Sequence, residues 1–200
     1  MRQIVVLPLI MLLYSCSGRS TENVETNGFD IAPIEERSED AITFSKSLRF
    51  REDTVLVAAY GEGSIRKLRL ECSDNHRYET DIDGEVTNAY YSDLDENGRP
   101  EIYVISISAG SGSYGNVFVC DQSDDGLREI RFPSPDMDNE LFKGYMGHDS
   151  IFIRGNRLIR HFPVYRDGDA NASPTGGNRQ LSYRLKCNGD SCAFMVTAFQ

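Results

Sequence analysis

The sequence has no tryptophan and relatively few basic residues. Its 200 residues include 21 Lys and Arg against 31 Asp and Glu, which gives a net charge of −10. Binding to nucleic acid depends on Lys and Arg that displace counterions from phosphates, so this composition argues against a nucleic-acid partner. The charge favours a basic protein partner or a divalent cation. The absence of tryptophan weighs against a sugar platform built on aromatic stacking.

The N-terminal apolar run is too short to cross a membrane as a helix. It covers Ile4–Leu13, about ten residues, whereas a membrane-spanning helix needs about 20. A basic residue, Arg2, precedes the run, and this arrangement is typical of a signal peptide. We therefore expect residues 1–15 to be a signal peptide.

The residues that follow the apolar run resemble the bacterial lipoprotein box. They read Leu13-Tyr14-Ser15-Cys16, although Tyr14 is bulkier than the usual residue at its position. The resemblance implies that Cys16 becomes the acylated first residue of the mature chain, anchored by several acyl chains. Ser17 and Ser20 give no acidic cue for inner-membrane retention, so the expected location is the outer membrane, facing the periplasm or the surface. An ordinary cleaved signal peptide with an incidental Cys16 is the alternative.

A polar segment separates the N-terminus from a long stretch of strand-like sequence. Residues 16–40 are rich in Ser, Thr, Asn, Glu and Gly, which predicts a flexible tether. Residues 41–200 contain many short β-rich runs between turn residues, which predicts one all-β domain, an antiparallel β-sandwich or barrel-like sandwich with at most one short helix. The window that favours a helix is Pro133–Met146. Predicted strands include Thr54–Tyr60, Ile65–Cys72 and Ser150–Arg154.

Four cysteines remain after Cys16, and their even number in an exported protein predicts two disulfides. Three pairings are possible. Cys187 and Cys192 bracket an Asn-Gly-Asp-Ser turn that could bring the ends of a hairpin within bridging distance. Cys72 and Cys120 would then form the second bridge. The cysteines lack the Cys-x-x-Cys spacing of a zinc site, which makes metal binding by these thiols the weaker interpretation.

An acidic turn places oxygen-bearing side chains at alternate positions. These are Asp93, Asp95 and Asn97, followed by Gly98 and then Glu101. Hard cations such as Ca²⁺ bind six to eight oxygen ligands, and this spacing can wrap a short loop around one ion. The pattern resembles the Asp-x-Asp-x-Asp-Gly loops of calcium-binding blade repeats, and it predicts a calcium site. The alternative is an Asx-rich turn held by its own hydrogen bonds without metal.

No catalytic constellation stands out in the sequence. The three histidines lie in different settings: His76 and His148 in polar turns and His161 in a predicted strand. The run Gly110-Ser111-Gly112-Ser113-Tyr114 fails the nucleophile-elbow pattern because it ends in Tyr114 and joins two strands. We therefore expect the protein not to be an enzyme and to require no cofactor other than a possible Ca²⁺.

A loop near the middle of the chain is uncharged. No charged residue occurs in Ile102–Cys120, although 26% of the chain is charged. Two apolar runs flank the small residues Ala109–Gly115, which predicts a β-hairpin with an ordered loop. An uncharged loop in so acidic a protein indicates a binding surface rather than a simple solvated connector. A plain glycine-rich turn is the alternative.

This loop and the acidic turn together resemble the periplasmic inhibitors of invertebrate-type lysozyme. That family shares a Ser-Gly-x-Tyr loop after a strand that an Asp-Gly-Arg-Pro-Glu-like turn introduces. Here the turn reads Leu94-Asp95-Glu96-Asn97-Gly98-Arg99-Pro100-Glu101-Ile102, and the loop match is Ser111-Gly112-Ser113-Tyr114. A looser likeness runs over residues 55–126, and the rest of the chain does not align. The resemblance implies a β-sandwich that inserts this loop into a lysozyme active-site cleft.

The chemistry of such a loop agrees with what the resemblance implies. Lysozymes use two carboxyl groups that flank a sugar site, and a Ser or Tyr hydroxyl can donate a hydrogen bond to a carboxylate. An acidic tip would be repelled by those carboxyl groups, whereas an uncharged tip is not. At Gly112 we expect a side chain to obstruct a partner or to strain a turn with positive φ.

A second loop supports an alternative function. The segment 166–178 is long, and Arg166-Asp167-Gly168-Asp169-Ala170-Asn171 offers many hydrogen-bonding groups beside Tyr165. Loops of this length often carry function. The alternative to lysozyme inhibition is therefore an envelope lipoprotein that binds a glycan or a protein partner through residues 166–178.

Overall fold

The computed structural model describes residues 41–123, 126–189 and 191–199. Within them lie twelve β-strands: β1 Ile42–Phe50, β2 Asp53–Tyr60, β3 Ile65–Cys72, β4 Arg77–Asp83, β5 Glu85–Ser92, β6 Glu101–Ile107, β7 Gly115–Ser123, β8 Gly126–Ile130, β9 Ser150–Arg154, β10 Arg157–Pro163, β11 Asn178–Asn188 and β12 Ser191–Phe199. The predicted all-β fold class is confirmed. The predicted signal peptide, the acylation at Cys16 and the tether of residues 16–40 lie outside the described residues.

The strands form three antiparallel sheets of four strands each. The sheet orders are β1-β2-β3-β4, β5-β6-β7-β8 and β12-β11-β10-β9. In each sheet, neighbours in space are also neighbours in the chain, so each sheet is built from consecutive strands. Alternating apolar and polar residues, as in β2 and β5, bury one face of each strand.

Two hydrophobic cores share the middle sheet. The first core joins the β1–β4 sheet to one face of β6 through Ile102 and Val104. The second core joins the β9–β12 sheet to the other face of β6 through Tyr103 and Ile105. Because both faces of β6 are buried, this strand reads as a continuous apolar run rather than as an alternating pattern.

The window Pro133–Met146 holds one turn of 3-10 helix, Glu140–Phe142, which agrees with the predicted limit of at most one short helix. Asn139 caps this turn by accepting a hydrogen bond from the Leu141 backbone N–H. Pro133 and Pro135 provide no backbone donor, and Gly144 adopts a φ of 76°, so a longer helix is not supported here. Within the described residues no helix has the length and apolar character needed to span a membrane.

The structure confirms one predicted disulfide and corrects the other. Cys187 and Cys192 are directly paired across the β11–β12 hairpin and form a disulfide. Cys72 and Cys120 are free thiols, so the predicted bridge between them is absent. They belong to different sheets and pack as small apolar side chains in the first core.

These two thiols are expected to be unreactive in the folded protein. Burial raises the pKa of Cys72 to about 11 and that of Cys120 to about 12, so both remain protonated at pH 8. In a Cys16→Ala variant, alkylation followed by mass spectrometry should find no modification in the native state. After unfolding without reductant, two cysteines should react. Failure of both to react after unfolding would show that they are bridged and would contradict the structure.

Candidate functional site

The uncharged loop between β6 and β7 is closed at its base and sharply turned at its tip. The backbone N–H of Ser108 donates to the Tyr114 carbonyl at 2.9 Å, and the Tyr114 N–H donates to the Ser108 hydroxyl oxygen at 3.2 Å. Gly110 and Ser113 adopt positive φ values of 126° and 44°. The loop is therefore a defined turn.

Two other segments contact this loop through its carbonyl groups. The His148 N–H donates to the Gly112 carbonyl at 2.6 Å, and the Asn171 side-chain amide donates to the Ser111 carbonyl at 2.8 Å. The His148 ring in turn lies 3.2 Å from the Asn171 amide oxygen. The two loops that the sequence offered as alternative binding sites thus meet. We call Ser111–Tyr114, His148 and Asn171 the loop surface.

A buried ion pair anchors the base of the loop. The Asp149 carboxylate, whose side chain is fully buried, accepts hydrogen bonds from the Gly115 N–H at 2.7 Å and from the Tyr145 hydroxyl. Arg160, 1% exposed, lies 3.4 Å from Asp149 and donates to the Gly115 carbonyl at 2.8 Å. Burial, reinforced by the bond to Asp149, raises the pKa of Tyr145 far above its usual value. The first residue of β7 is therefore fixed on both its N–H and its carbonyl.

Sequence reasoning missed this ion pair. Asp149 directly follows His148, but its partner Arg160 lies in β10, and the pairing depends on the loop and β10 meeting in space. The sequence feature that points to it is Arg160 at the centre of a mostly apolar strand. Arg160 also lies near the rings of Phe132 and Tyr145, at 5.8 and 6.0 Å from their centres.

Tyr114 is partly packed and partly exposed. Its ring lies edge-on to Tyr145, with 5.7 Å between the ring centres, and it remains 42% exposed. A Cβ atom at Gly112 would come within 2.3 Å of the Tyr114 ring. Gly112 is thus needed because the Tyr114 ring lies over it. The strain of a positive φ, the other reason expected for this glycine, does not apply, because in this loop Gly110 and Ser113 have positive φ values and Gly112 does not.

The loop surface presents two hydroxyl groups that have no hydrogen-bond partner among the described residues. Ser111 is exposed. Within the described part of the chain, neither its hydroxyl nor that of Tyr114 forms a hydrogen bond. An approaching molecule could therefore bind both hydroxyls without displacing an existing contact.

The 166–178 loop is organised by one carboxylate. Asp169 accepts hydrogen bonds from the backbone N–H groups of Arg166 and Thr175, at 2.7 and 2.8 Å, and from the Thr175 hydroxyl. These hydrogen bonds hold the pKa of Asp169 below its usual value. The Tyr165 hydroxyl donates to the Asn171 carbonyl at 2.8 Å, so Asn171 is held against the neighbouring loop.

The structure brings three of the four predicted metal ligands together. Carboxylate oxygens of Asp93, Asp95 and Glu101 lie within 4.8 Å of one another. Asn97 is engaged elsewhere: its amide nitrogen donates to Asp95 and its oxygen accepts from the Arg99 N–H. The Asp93 and Asp95 carboxylates also accept the Asn97 N–H, which is the hydrogen-bonded turn that the sequence offered as an alternative. In this arrangement both ends of the Asn97 side-chain amide are hydrogen-bonded within the turn.

The other histidines lie away from the loop surface in the chain and make ordinary contacts. The His76 ring nitrogen lies 3.1 Å from the Asp74 carboxylate in an exposed turn. His161 is half-buried in β10, paired with Ser150 and Gln180.

The fold and the site define a class: an antiparallel β protein that holds a neutral, hydroxyl-bearing surface on an anchored hairpin. No family model, no curated protein and no solved structure matches the chain.

Proposed function

We propose that this protein is a cell-envelope lipoprotein that binds and inhibits a lysozyme by inserting Ser111–Tyr114 into the active-site cleft of the enzyme. The observation that carries the proposal is a pair of hydroxyls, those of Ser111 and Tyr114, that have no hydrogen-bond partner in the described ranges of the chain. They lie on an uncharged loop that is anchored on several sides. In the same proposal, the chain is attached to the outer membrane through Cys16.

The anchoring of the loop favours tight binding. A loop that must become ordered on binding loses affinity, whereas one already fixed in its bound conformation does not. Here the carbonyls of Ser111 and Gly112 and the N–H of Gly115 are all hydrogen-bonded to neighbouring segments. Both hydroxyls can then donate to the carboxyl groups of a lysozyme, and a hydrogen bond to a charged group contributes about 1.5–3 kcal/mol.

The test uses variants that remove the hydroxyls and keep the packing. Truncating Tyr114 to Ala would also remove the ring that lies against Tyr145, so Ser111→Ala/Tyr114→Phe is the sharper variant. The chain without residues 1–15 should inhibit an invertebrate-type lysozyme in a cell-wall clearing assay. The double variant should weaken inhibition by about 3 kcal/mol, or roughly 100-fold, and keep its melting temperature.

A matched control removes one serine and one tyrosine hydroxyl from a part of the protein outside the loop surface. Ser45→Ala/Tyr78→Phe deletes one serine and one tyrosine hydroxyl from strands of the first sheet and should inhibit like the unmodified protein. Inhibition that survives Ser111→Ala/Tyr114→Phe, or the absence of inhibition towards invertebrate-type, chicken-type and goose-type lysozymes at micromolar concentration, would overturn the proposal.

The second candidate is a glycan or protein partner bound by residues 166–178 without inhibitor activity. The hydrogen bond between Asn171 and the Ser111 carbonyl favours it, because the partner would meet the same loop surface. Binding of cell-wall fragments that Asn171→Ala removes, in a protein that leaves all three lysozymes active, would establish this second candidate.

A further inference from the structure

The acidic turn between β5 and β6 buries a carboxylate oxygen that has no hydrogen-bond partner within residues 41–123, 126–189 and 191–199. Glu101 is 1% exposed. Its Oε2 accepts hydrogen bonds from the Leu94 N–H at 3.0 Å and the Tyr103 hydroxyl at 2.6 Å, while its Oε1 has no hydrogen-bond partner. Burying a carboxylate oxygen without a hydrogen-bond partner costs free energy, and a ligand bound at this position would offset that cost.

Two more carboxylates surround this one. Asp93 and Asp95 each place an oxygen within 4.8 Å of a Glu101 oxygen and of each other. Within the described residues, no Lys or Arg forms a salt bridge with any of the three. Carboxylates this close repel one another when they are charged, and a bound cation would reverse that repulsion.

We propose that Asp93, Asp95 and Glu101 bind one Ca²⁺ ion. All the ligand atoms are carboxylate oxygens, the donors that hard cations prefer. Calcium–oxygen distances are about 2.4 Å, so oxygens on opposite sides of the ion lie about 4.8 Å apart, and the observed spacing allows all three to reach one ion. Mg²⁺ needs shorter distances and near-ideal octahedral geometry. This site does not depend on the proposed lysozyme inhibition.

Binding of the ion would stiffen the turn and the parts of the fold that touch it. Glu96 accepts a hydrogen bond from the Asn156 amide in the β9–β10 turn at 2.9 Å, and the Gly98 carbonyl accepts one from Arg51 at 3.3 Å. The same turn leads into β6, the strand shared by both cores. A cation in this turn is therefore expected to stabilise the whole domain.

The test is titration of chelator-treated protein with CaCl₂ alone. Calorimetry should show one site with a Kd on the order of 0.1 mM, and 10 mM Ca²⁺ should raise the melting temperature by about 5–10 °C. Glu101→Gln keeps the shape of the side chain and removes its charge, and it should abolish both effects. Asp95→Asn, on the more exposed side of the cluster, provides a second variant if Glu101→Gln does not fold, and it should do the same.

The control is Asp138→Asn, an exposed carboxylate outside the turn, which should bind Ca²⁺ like the unmodified protein. Absence of heat and of a melting shift at 10 mM Ca²⁺ would overturn the proposal, as would binding that survives Glu101→Gln and Asp95→Asn or that is lost in Asp138→Asn. Equal stabilisation by MgCl₂ would overturn the assignment to calcium.

Discussion

Replacing Asp149 with alanine is expected to lower the free energy of unfolding by about 3–5 kcal/mol. The substitution leaves the guanidinium of Arg160 buried without its counter-charge, which is among the costliest single changes a protein can undergo. It also removes the acceptor for the Gly115 N–H and the Tyr145 hydroxyl. Urea denaturation followed by circular dichroism measures the loss.

An exposed ion pair provides the matched control. Asp81 pairs with Lys67 on the first sheet, and both side chains are more than half exposed. Asp81→Ala should therefore cost less than about 1 kcal/mol. The double variant Asp149→Ala/Arg160→Met removes both buried charges and should recover part of the stability. Equal losses for Asp149→Ala and Asp81→Ala would contradict the role of the buried pair.

Replacing Gly147 with alanine is expected to cost about 2–5 kcal/mol and to displace the loop surface. Gly147 has a φ of 88°, and an added Cβ would lie 2.0 Å from the Gly112 carbonyl oxygen. Left-handed backbone costs a residue with a side chain about 1–2 kcal/mol, and crowding a packed position adds about 1–3 kcal/mol. The clash falls on the carbonyl that accepts the His148 N–H, so that hydrogen bond cannot persist.

A substitution at a second glycine separates the cost of backbone strain from the cost of steric crowding. Gly155, in the β9–β10 turn, has a φ of 60° and nothing within 4 Å of an added Cβ. Gly155→Ala should therefore cost only the backbone strain, about 1–2 kcal/mol. Denaturant unfolding gives both costs, and NMR shifts of Ser111 and Asn171 should move only in Gly147→Ala. Identical stability for the two variants would show that Gly147 does not support the loop.

Much of the fold was predictable because its connections are local. The predicted strands Thr54–Tyr60, Ile65–Cys72 and Ser150–Arg154 match β2, β3 and β9 within one residue at either end. Each strand pairs with its neighbour in the chain, so β-formers and turn residues carry most of the information. The Cys187–Cys192 bridge was predictable for the same reason, since its two residues face each other across one hairpin.

Contacts between segments that are distant in the chain could not be predicted from the sequence. Nothing in the spacing of the chain shows that Asn171 reaches the Ser111 carbonyl or that Arg160 lies beneath Gly115. Nor does it show that Cys72 and Cys120 share a core as free thiols. The oxygen-rich spacing of the acidic turn did predict a shared position for three carboxylates, but the amide of Asn97 satisfies the turn itself.

The burial of β6 on both faces has a consequence for how the strand finds its alignment. A slip by one residue would exchange Ile102 and Val104 with Tyr103 and Ile105 between two apolar cores, and it would expose none of them to water. Hydrophobic patterning therefore does not fix the alignment of β6. Contacts at its ends fix the alignment instead. The Glu101 side chain, at the start of β6, accepts a hydrogen bond from the Leu94 N–H, and beyond the loop Asp149 and Arg160 hold Gly115. If the β5–β6 turn or the β6–β7 loop is exchanged for another sequence, the new chain must keep these anchors. Otherwise β6 could pair with its neighbours in a register shifted by one residue.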